Sequence, residues 1–434
     1  MSFPRYSKYK DSGVEWLGKV PEHWEVKRLK FNLRLRTGKT DRRENPVALE
    51  NIEGWTGRFI STETQFEGEG VAFDAGDILF GKLRPYLAKA YLAESPGEAV
   101  GDFHVMRPAA NVDSRFAQYQ ILNREFIAIV DGSTFGSKMP RASWEFVGGM
   151  PVTTPPLPEQ TRIAEFLDRE TAKIDELVAE QRRLMELLKE KRQAVISHAV
   201  TKGLDPKAKL KPSSIEWLGD VPAHWKMERI KHLVCLLEQG WSPQCEGSPA
   251  EEHEWGVLKV GCVNGGTFDP AENKLLPAEL EPDPRLAVAK DDLLISRANT
   301  RELVGSAAVA ERGYPKLMVC DKLYRIRFHG DRCNPRFISN YLGCDAVRGQ
   351  IELDATGASA SMVNIGQSAI LELPIATPSF REQTGIVAFL ETETAKFDTL
   401  TSEAQRAIDL LQERRTALVS AAVTGQIDVR SFAG

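Results

Sequence analysis

The feature that most constrains this 434-residue chain is a stretch near its beginning that recurs about halfway along. Residues 15–24 read Glu-Trp-Leu-Gly-Lys-Val-Pro-Glu-His-Trp, and residues 216–225 read Glu-Trp-Leu-Gly-Asp-Val-Pro-Ala-His-Trp. A match of this length at one fixed offset, here 201 residues, indicates an internal repeat. The chain is therefore predicted to contain two copies of one structural frame.

A second pair of matching segments lies 223 residues apart. Pro-x-Leu-x-Glu-Gln at 155–160 corresponds to Pro-x-Phe-x-Glu-Gln at 378–383, and both matches continue to an Ala-Val-Thr sequence. Because the two offsets differ, the stretches between the repeated segments differ in length. Two copies of a frame therefore hold two different inserts, residues 31–154 and 232–377.

The inserts share little sequence beyond one strand motif, Gly-Asp-Ile-Leu-Phe at 76–80 and Asp-Asp-Leu-Leu-Ile at 291–295. Short β-rich runs alternate with turns made of Gly, Pro and Asp, and helical stretches lie between them. The clearest predicted strands are 78–80, 257–260 and 323–328, and the predicted insert helices are 114–130 and 335–350. Each insert is therefore predicted to be a mixed α/β domain.

The frame segments 159–201 and 382–424 are predicted to be long helices, because each follows a Pro-rich stop and contains no internal proline. Residues recur at every seventh position in a mostly apolar stripe, which favours pairing with another helix. The stripe comprises Leu167, Ile174, Gln181, Leu188 and Val195 with Leu177 and Leu184 between them, and Leu390, Phe397, Ala404, Leu411 and Leu418 with Leu400 and Ala407 between them. The order of inserts and helices along the chain predicts antiparallel pairing and a pseudo-twofold arrangement.

Composition limits the classes of protein to consider. A formal charge of -5 and a pI near 6.0 do not suit a uniformly basic nucleic-acid binder, so any DNA contact must come from local clusters. No apolar run is long enough to span a membrane and the first residues do not resemble a signal peptide, which predicts a soluble, cytoplasmic protein. The six cysteines have no zinc-site spacing, so buried free thiols are predicted.

In these motifs the chain resembles the specificity subunits of type I restriction-modification systems. The resemblance rests on Lys-Asp-Ser-Gly-Val-Glu-Trp-Leu-Gly at 10–18 with Val-Pro-Glu-His-Trp at 20–24, Gly-Asp-Ile-Leu-Phe at 76–80, Pro-Pro-Leu-Pro-Glu-Gln at 155–160, and Ala-Val-Thr-Gly-Gln-Ile at 422–427. It covers essentially the whole chain. Doubled frame motifs around dissimilar inserts are specific to such subunits.

The resemblance implies a subunit that reads double-stranded DNA and performs no chemistry itself. Each insert would be a target recognition domain for one half of a bipartite site, and the paired helices would form a coiled-coil spacer. The implied segments are an N-terminal recognition domain at 1–158, a central helix at 159–202, a C-terminal recognition domain at 203–380 with a linker at 203–214, and a distal helix and tail at 381–434.

The resemblance also implies partners. Two methyltransferase subunits would dock on the repeated frame, and restriction subunits would join them. The chain would hold no cofactor of its own, since S-adenosylmethionine, ATP and Mg²⁺ are expected on the partner subunits.

One candidate DNA-binding feature is a basic cluster between residues 27 and 43. It comprises Lys27, Arg28, Lys30, Arg34, Arg36, Lys39, Arg42 and Arg43, opposed inside that window only by Asp41. Such a cluster can neutralise phosphates and release counterions. The alternative is the solvated face of one amphipathic strand or helix.

Two polar loops follow the strand motif at parallel places in the inserts. The first carries Lys82, Arg84 and Tyr86, and the second carries Arg297, Asn299 and Arg301. Arg and Lys can contact guanine O6 and N7, and Asn can contact adenine N6 and N7, so such loops suit base reading. An ordinary polar turn with a surface ion pair is the alternative.

A later pair of loops lies near the end of each insert. These loops carry Ser137, Lys138 and Arg141 in the first insert and Ser359, Ser361 and Asn364 in the second. Small neighbours allow close backbone approach, and the side chains can donate to phosphate. The alternative is a flexible connector before the frame helix.

The sequence contains no complete catalytic motif, so no catalytic residue and no metal ligand is predicted. Thr37-Gly-Lys-Thr40 resembles a phosphate-binding loop, but Leu33 stands where its first glycine belongs. Asp74, Asp77 and Lys82 fit a nuclease pattern only loosely, and the repeated His-Trp pairs are better explained as packed frame corners. A stand-alone nuclease or methyltransferase with unrecognised motifs is the alternative function.

Overall fold

The structure consists of two units that follow the sequence repeat. It is a computed structural model and describes residues 3–40, 45–62, 69–136, 138–245, 247–359 and 362–432. One unit comprises residues 1–183 and 404–434, and the other comprises residues 184–403. Each contains one insert, one copy of the frame strands and a portion of both long helices. The predicted mixed α/β architecture with two inserts and two long helices is confirmed.

The limits of these units lie inside the long helices rather than at residues 158, 202 and 380, where separate segments are expected. Each long helix contributes buried apolar side chains to a core cluster in both units. The helices therefore belong to the cores of the units, and the four-segment division stays a prediction.

The helices and strands have the following bounds. The helices are α1 (Leu29–Asn32), α2 (Ser114–Ile121), α3 (Arg124–Gly132), α4 (Trp144–Gly149), α5 (Leu157–Lys202), α6 (Pro335–Leu342), α7 (Asp345–Asp354), α8 (Gln367–Leu371) and α9 (Phe380–Val423). The strands of the first unit are β1 (Tyr9–Asp11), β2 (Lys19–Pro21), β3 (Glu25–Arg28), β4 (Leu33–Arg36), β5 (Lys39–Thr40), β6 (Pro46–Val47), β7 (Gly70–Phe73), β8 (Ile78–Gly81), β9 (Ala90–Leu92), β10 (Gly97–Val100), β11 (Phe103–Pro108) and β12 (Pro151–Thr154). The strands of the second unit are β13 (Leu210–Pro212), β14 (Asp220–Pro222), β15 (Lys226–Arg229), β16 (Val234–Gln239), β17 (Gly256–Leu258), β18 (Asn273–Leu275), β19 (Ala287–Val288), β20 (Leu293–Ser296), β21 (Ala298–Asn299), β22 (Ala307–Val309), β23 (Tyr314–Met318), β24 (Leu323–Phe328), β25 (Thr356–Ser359), β26 (Met362–Asn364) and β27 (Pro374–Thr377).

The frame strands pair in the same register in both copies. β3 runs antiparallel to β12 with Arg28 opposite Pro151, and β15 runs antiparallel to β27 with Arg229 opposite Pro374. Equivalent partners are separated by the same 201 and 223 residues as the sequence repeats. A two-stranded ladder therefore joins the chain just before each insert to the chain just after it.

Each insert is built on a four-stranded sheet with the same strand order. The order is β4-β11-β8-β9 in the first insert and β16-β24-β20-β22 in the second. A further four-stranded sheet lies in each insert, with the orders β5-β7-β10-β6 and β18-β17-β23-β19. The second insert also contains a three-stranded sheet, β21-β26-β25.

The shared strand motif lies at the centre of each insert. In the first insert Ile78 and Phe80 belong to the cluster that includes side chains of α2 and α3, whereas Leu79 belongs to the cluster with Phe73 of the other sheet. Alternate side chains of a strand point to opposite faces, so this strand is covered on both sides. That double burial explains why the motif is apolar at three consecutive positions.

The long helices α5 and α9 pair antiparallel within each unit. In the first unit Arg415 Nε lies 3.0 Å from Asp175 Oδ1, and Leu167 shares a cluster with Leu418. In the second unit Arg192 Nε lies 3.6 Å from Asp398 Oδ1. The two ion pairs are equivalent, because each residue is 223 positions from its counterpart.

Half of the residues in the predicted seventh-residue stripe are buried. Its buried members are Leu167, Ile174, Leu188, Leu390, Phe397, Ala404 and Leu418. The prediction for Leu177, Leu184 and Leu400 is wrong, because all three side chains are exposed, and Val178 and Ile408 are buried instead. On a helix, the residues three and four positions after a stripe residue both lie beside it. The seven-residue period alone therefore does not show which of the two is buried.

The predicted insert helices are each broken in two. Residues 114–130 form α2 and α3, separated at Asn123, whose side chain accepts a hydrogen bond from the Phe126 amide at 3.0 Å. Residues 335–350 form α6 and most of α7, separated at residues 343–344. In the first of these breaks, the Asn123 cap starts a new helix inside an otherwise helical sequence.

The cysteine prediction holds for four of the six residues. Cys262, Cys320, Cys333 and Cys344 are buried and free, and Cys245 is half-buried. The prediction is wrong for Cys235, which is exposed. It lies at an irregularity in the pairing of β16 with β24, where the extra residue turns towards solvent.

The tryptophans of the His-Trp pairs pack into the frame corners, as predicted, whereas the His23 and His224 side chains are exposed. Trp24 is fully buried, and its Nε1 donates to the Glu159 carboxylate at 3.1 Å, while His23 Nε2 lies 2.8 Å from the same carboxylate. In the second copy, Trp225 Nε1 donates to Glu382 at 3.0 Å. Each corner thus ties the first turn of a long helix to the frame strands.

At each corner, a glycine with positive φ follows the last turn of a long helix. Gly203 follows α5 with φ of 75°, and Gly425 follows α9 with φ of 76°. A Cβ atom on Gly425 would lie 2.4 Å from Pro21 Cδ and 3.0 Å from Trp24 Cζ3. The corner therefore requires glycine for both its backbone conformation and its packing.

Replacing Gly425 by alanine is expected to destabilise the protein by about 2 kcal/mol or more. The new Cβ atom would sit on a left-handed backbone, which disfavours it, and would overlap Pro21. Gly385→Ala is the control, since Gly385 lies inside α9 with open space around its Cα. That change is expected to be neutral or stabilising by up to about 1 kcal/mol. Thermal unfolding of both variants measures the difference, and equal melting temperatures would contradict the packing described for Gly425.

Candidate nucleic-acid interface

The two loops predicted to contact DNA in the first insert lie side by side. Leu83 and Arg141 form an antiparallel backbone bridge. The Arg84 amide donates to the Pro140 carbonyl, and the Ala142 amide donates to the Lys82 carbonyl, both at 2.9 Å. The loops are 60 residues apart in sequence, so the fold alone brings them together.

The corresponding loops of the second insert meet in the same way. Ala298 of β21 pairs with Asn364 of β26, and the Ile365 amide donates to the Arg297 carbonyl at 2.9 Å. Another hydrogen bond is also shared, from the Arg297 amide to the Lys322 carbonyl at 2.8 Å, equivalent to the 2.9 Å bond from Lys82 to Asp102. We call this pair of joined loops the loop platform of each insert.

In the first loop platform, a carboxylate holds two of the predicted basic residues. Asp102 accepts hydrogen bonds from Arg141 Nε at 3.0 Å and Arg141 Nη2 at 2.8 Å, and Lys82 Nζ lies 3.7 Å away. These bonds from Arg141, aided by Lys82, hold the pKa of the Asp102 carboxyl below its usual value despite partial burial. Asp102 was not singled out from the sequence, because nothing in its local pattern marks it.

Other predicted side chains of the first platform point to solvent. Arg84, Tyr86 and Lys138 are exposed, whereas Ser137 lies outside the described residues. Two apolar neighbours in the same loop, Phe135 and Met139, are also exposed, Phe135 by 65%. The loop therefore presents basic and apolar side chains together, a combination used by proteins that contact DNA bases.

In the second platform the two predicted arginines donate to backbone carbonyls, and Asn299 donates to a side chain. Arg297 donates to the Asp321 carbonyl at 3.4 Å, Arg301 donates to the Glu352 carbonyl at 2.9 Å, and Asn299 donates to Asn264 at 3.3 Å. Asn364 is half-buried in β26. Ser359 lies in β25, and Ser361 lies outside the described residues.

The basic cluster extends over four elements, β3, α1, β4 and β5, and therefore does not lie on one strand or helix. Three members are paired with carboxylates: Lys27 with Glu25, Lys39 with Glu69 and Arg36 with both Asp74 and Asp77. Arg28, Lys30 and Arg34 are exposed and have no carboxylate partner within the part of the chain that the structure describes. Arg42 and Arg43 lie outside that part. DNA contact by the cluster stays a prediction.

Asp77 is the centre of an ion-pair network rather than part of a nuclease site. Its carboxylate accepts from Arg36 Nη1 at 2.7 Å and Arg107 Nε at 2.8 Å. Burial raises the pKa of Asp77, but hydrogen bonds from Arg107, the Asp74 amide and Arg36 outweigh it and lower that pKa overall. The equivalent Asp292 pairs with Arg327 in the second insert. The two inserts thus repeat a buried aspartate just before their central strand.

The described residues contain no group of three or more His, Cys, Asp or Glu side chains placed to hold a metal ion. None of their helices combines the length and the apolar character that crossing a membrane requires.

The chain is similar to specificity subunits of type I restriction enzymes, although no family model matches it. The EcoEI specificity subunit of Escherichia coli is 31% identical over 205 residues, which are 47% of this chain and 34% of that protein, so this match spans about a third of that relative. The EcoKI specificity subunit of Escherichia coli strain K12 is 23% identical over 441 residues, covering 94% of this chain and 90% of that protein.

Solved structures share the fold. A chain from a study of complex assembly and conformational transition of the type I R-M system has a TM-score of 0.70 at 18% identity, covering 93% of this chain and 98% of that chain. The HsdS subunit from Thermoanaerobacter tengcongensis has a TM-score of 0.50 at 18% identity, covering 94% of this chain and 98% of that chain.

Asp77→Asn is expected to destabilise the first insert by about 1–3 kcal/mol near neutral pH, because it weakens the bonds to Arg36 and Arg107. Since the folded pKa of Asp77 lies below its unfolded value, its contribution is complete above about pH 4 and is lost as pH falls through the folded pKa. The stability difference between parent and variant should therefore shrink in acid. Urea unfolding at several pH values tests this, and a difference that grows on acidification would contradict the network.

Proposed function

We propose that this chain, which is similar to type I restriction enzyme specificity subunits, selects the DNA sequence on which a multisubunit restriction-modification enzyme acts. Each insert reads one half of a bipartite double-stranded site. The observation that carries this proposal is the repeated loop platform, which has the same backbone bonds but different side chains in the two inserts. A shared scaffold with different polar side chains suits two readers of different sequences.

Affinity for DNA would come from the basic residues and specificity from the platforms. Arg28, Lys30 and Arg34 lie in β3, α1 and β4, where the chain enters the first insert. There they can neutralise phosphates without contacting DNA bases. The platforms carry the Arg, Lys and Asn side chains whose donors match base edges in the major groove. This division agrees with a net acidic chain that binds DNA through local surfaces.

Catalysis would belong to the partner subunits. Asp74 and Asp77, the carboxylates that fit a nuclease pattern only loosely, are neutralised by arginines. S-adenosylmethionine, ATP and Mg²⁺ are accordingly assigned to methyltransferase and restriction subunits. The alternative of a stand-alone nuclease or methyltransferase receives no support from the relatives. We place the complex in the cytoplasm, where its DNA is found.

Two methyltransferase subunits would bind, one on each unit. The first unit exposes Leu177 and Leu410 on its helix pair, and the second exposes Leu400 and Leu187. Leu177 and Leu400 are 223 residues apart, as are Leu187 and Leu410, so the repeat preserves exposed leucine at both positions. Exposed apolar residues that recur on a duplicated surface suit two copies of one partner.

The function is tested by exchanging inserts. Replacing residues 31–154 with the corresponding insert of a relative should change one half of the recognised site and leave the other half unchanged, because each platform is formed within its own insert. Replacing residues 232–377 is the matched experiment for the other half. Selection from randomised DNA by the reassembled complex gives both preferences. If one exchange alters both halves, the inserts are not independent readers.

Assembly is tested by changing the exposed leucines. Leu177→Gln with Leu410→Gln should leave a complex with one methyltransferase subunit, and adding Leu187→Gln with Leu400→Gln should abolish binding. Leu353→Gln is the control, since this leucine is 77% exposed at the end of α7 and lies outside the repeated frame. Native mass spectrometry counts the subunits. Two methyltransferase subunits on the fourfold variant would refute this docking surface.

A further inference from the structure

Arg141 is held in a defined orientation by Asp102. The bonds from Nε and Nη2 occupy one edge of the guanidinium group and one carboxylate. Nη1 and the second hydrogen of Nη2 point away from that edge, because the five donors of arginine form a rigid planar fork. The Arg141 side chain is 38% exposed, so this outer edge can meet a ligand from solvent.

The backbone at Arg141 is fixed from both sides. It forms antiparallel bridges with Leu83 of the first loop and with Phe135 of its own loop. The bonds between Phe135 and Arg141 measure 3.3 and 3.1 Å. Position 141 is therefore the point where the two loops of the platform are joined.

Asn364 occupies the same position in the second insert. It lies 223 residues after Arg141, and its backbone is bridged to Ala298 and to Thr356, as Arg141 is to Leu83 and Phe135. The residue that follows also makes the same bond, from the Ile365 amide to Arg297. One backbone position thus carries arginine in one insert and asparagine in the other.

We propose that this shared position reads one base pair in each half-site: Arg141, oriented by Asp102, contacts guanine, and Asn364 contacts adenine. The proposal rests on the proposed function and names part of the sequence that the chain selects. Asp102 is a positioning residue, because it acts on DNA only through Arg141.

The chemistry follows from the donor and acceptor patterns of the bases. Guanine presents two acceptors, O6 and N7, which match the two parallel donors on the outer edge of the Arg141 fork. Adenine presents the N7 acceptor and the N6 donor, which match the amide of Asn364. Holding a long side chain in place before binding reduces the entropy lost on contact, so the carboxylate partner improves discrimination.

The test uses the full chain assembled with its methyltransferase subunits and a DNA library randomised in both half-sites. The variants are Arg141→Ala, Arg141→Lys, Asp102→Asn and Asn364→Ala. Arg115→Ala is the control, because Arg115 also pairs with an aspartate, Asp168 at 2.7 Å, but lies on α2 away from the platform. Thermal unfolding checks that each variant is folded. If Arg141→Ala does not fold, Arg141→Lys, which keeps the positive charge, tests the same contact.

The parent should select guanine at one position of the first half-site and adenine at one position of the second. Arg141→Ala and Arg141→Lys should reduce that guanine preference about 10- to 100-fold, the usual value of one bidentate contact, and leave the second half-site unchanged. Asn364→Ala should reduce the adenine preference in the second half-site by a similar factor and leave the first half-site unchanged. Asp102→Asn should weaken the guanine preference while affinity for random DNA is kept or raised, because a negative charge near the DNA is removed.

The remaining outcomes overturn the proposal in distinguishable ways. If the Arg141 variants weaken binding to all sequences equally and flatten the salt dependence, Arg141 contacts a phosphate instead. If they change stability but not base preference, the Arg141–Asp102 pair is structural only. Absence of guanine from the parent's first half-site, or of adenine from its second, refutes the assignment. A parent complex without any sequence preference would instead refute the proposed function.

Discussion

The arrangement of each unit depends on the Glu-Gln pair in the first turn of its long helix. Glu159 accepts hydrogen bonds from the frame through Trp24 and Tyr6, and the adjacent Gln160 accepts one from the Asp113 amide, where the insert helix α2 begins. One helical turn is thus bonded to the frame and to the insert at once. Because the carboxylate and the amide are both buried, leaving either unpaired would cost about 1–3 kcal/mol, and more for the charged group. The direction of the helix is therefore fixed relative to the domain that it carries.

Much of this fold could be predicted because the chain repeats itself. The repeated Glu-Trp-Leu-Gly and His-Trp sequences marked the frame, and the absence of proline marked both long helices. What could not be predicted depends on single contacts. The seven-residue period did not distinguish Leu177 from Val178, and only the tertiary packing buries the latter. Likewise, the helical pattern of 114–130 did not show that Asn123 would cap a new helix, because asparagine also occurs inside helices.

The candidate site was predicted in its parts but not in its assembly. Lys82 and Arg141 were selected from two separate loops, each for its own chemistry. Their common partner, Asp102, had no recognisable signal, because a Gly-Asp turn before a strand is ordinary. Sequence also gave no reason to separate Arg36 from Arg34, although the fold pairs the former with Asp74 and Asp77 and leaves the latter exposed. Pairing between distant residues is a property of the fold, and an isolated sequence window does not contain it.

The loop platforms explain how the inserts can differ so widely in sequence and still present a polar side chain at the same place. The bonds that join the two loops run between backbone amides and carbonyls, from residue 142 to 82 and from residue 365 to 297. Such bonds impose little restriction on the side chains, so Arg141 and Asn364 can occupy one position with different chemistry. A reader whose geometry is fixed by its backbone can change what it reads by one substitution, whereas a reader positioned by side-chain packing would need compensating changes around it. Asp102 is the exception in the first insert, because it adds a side-chain constraint to a position that the backbone already holds.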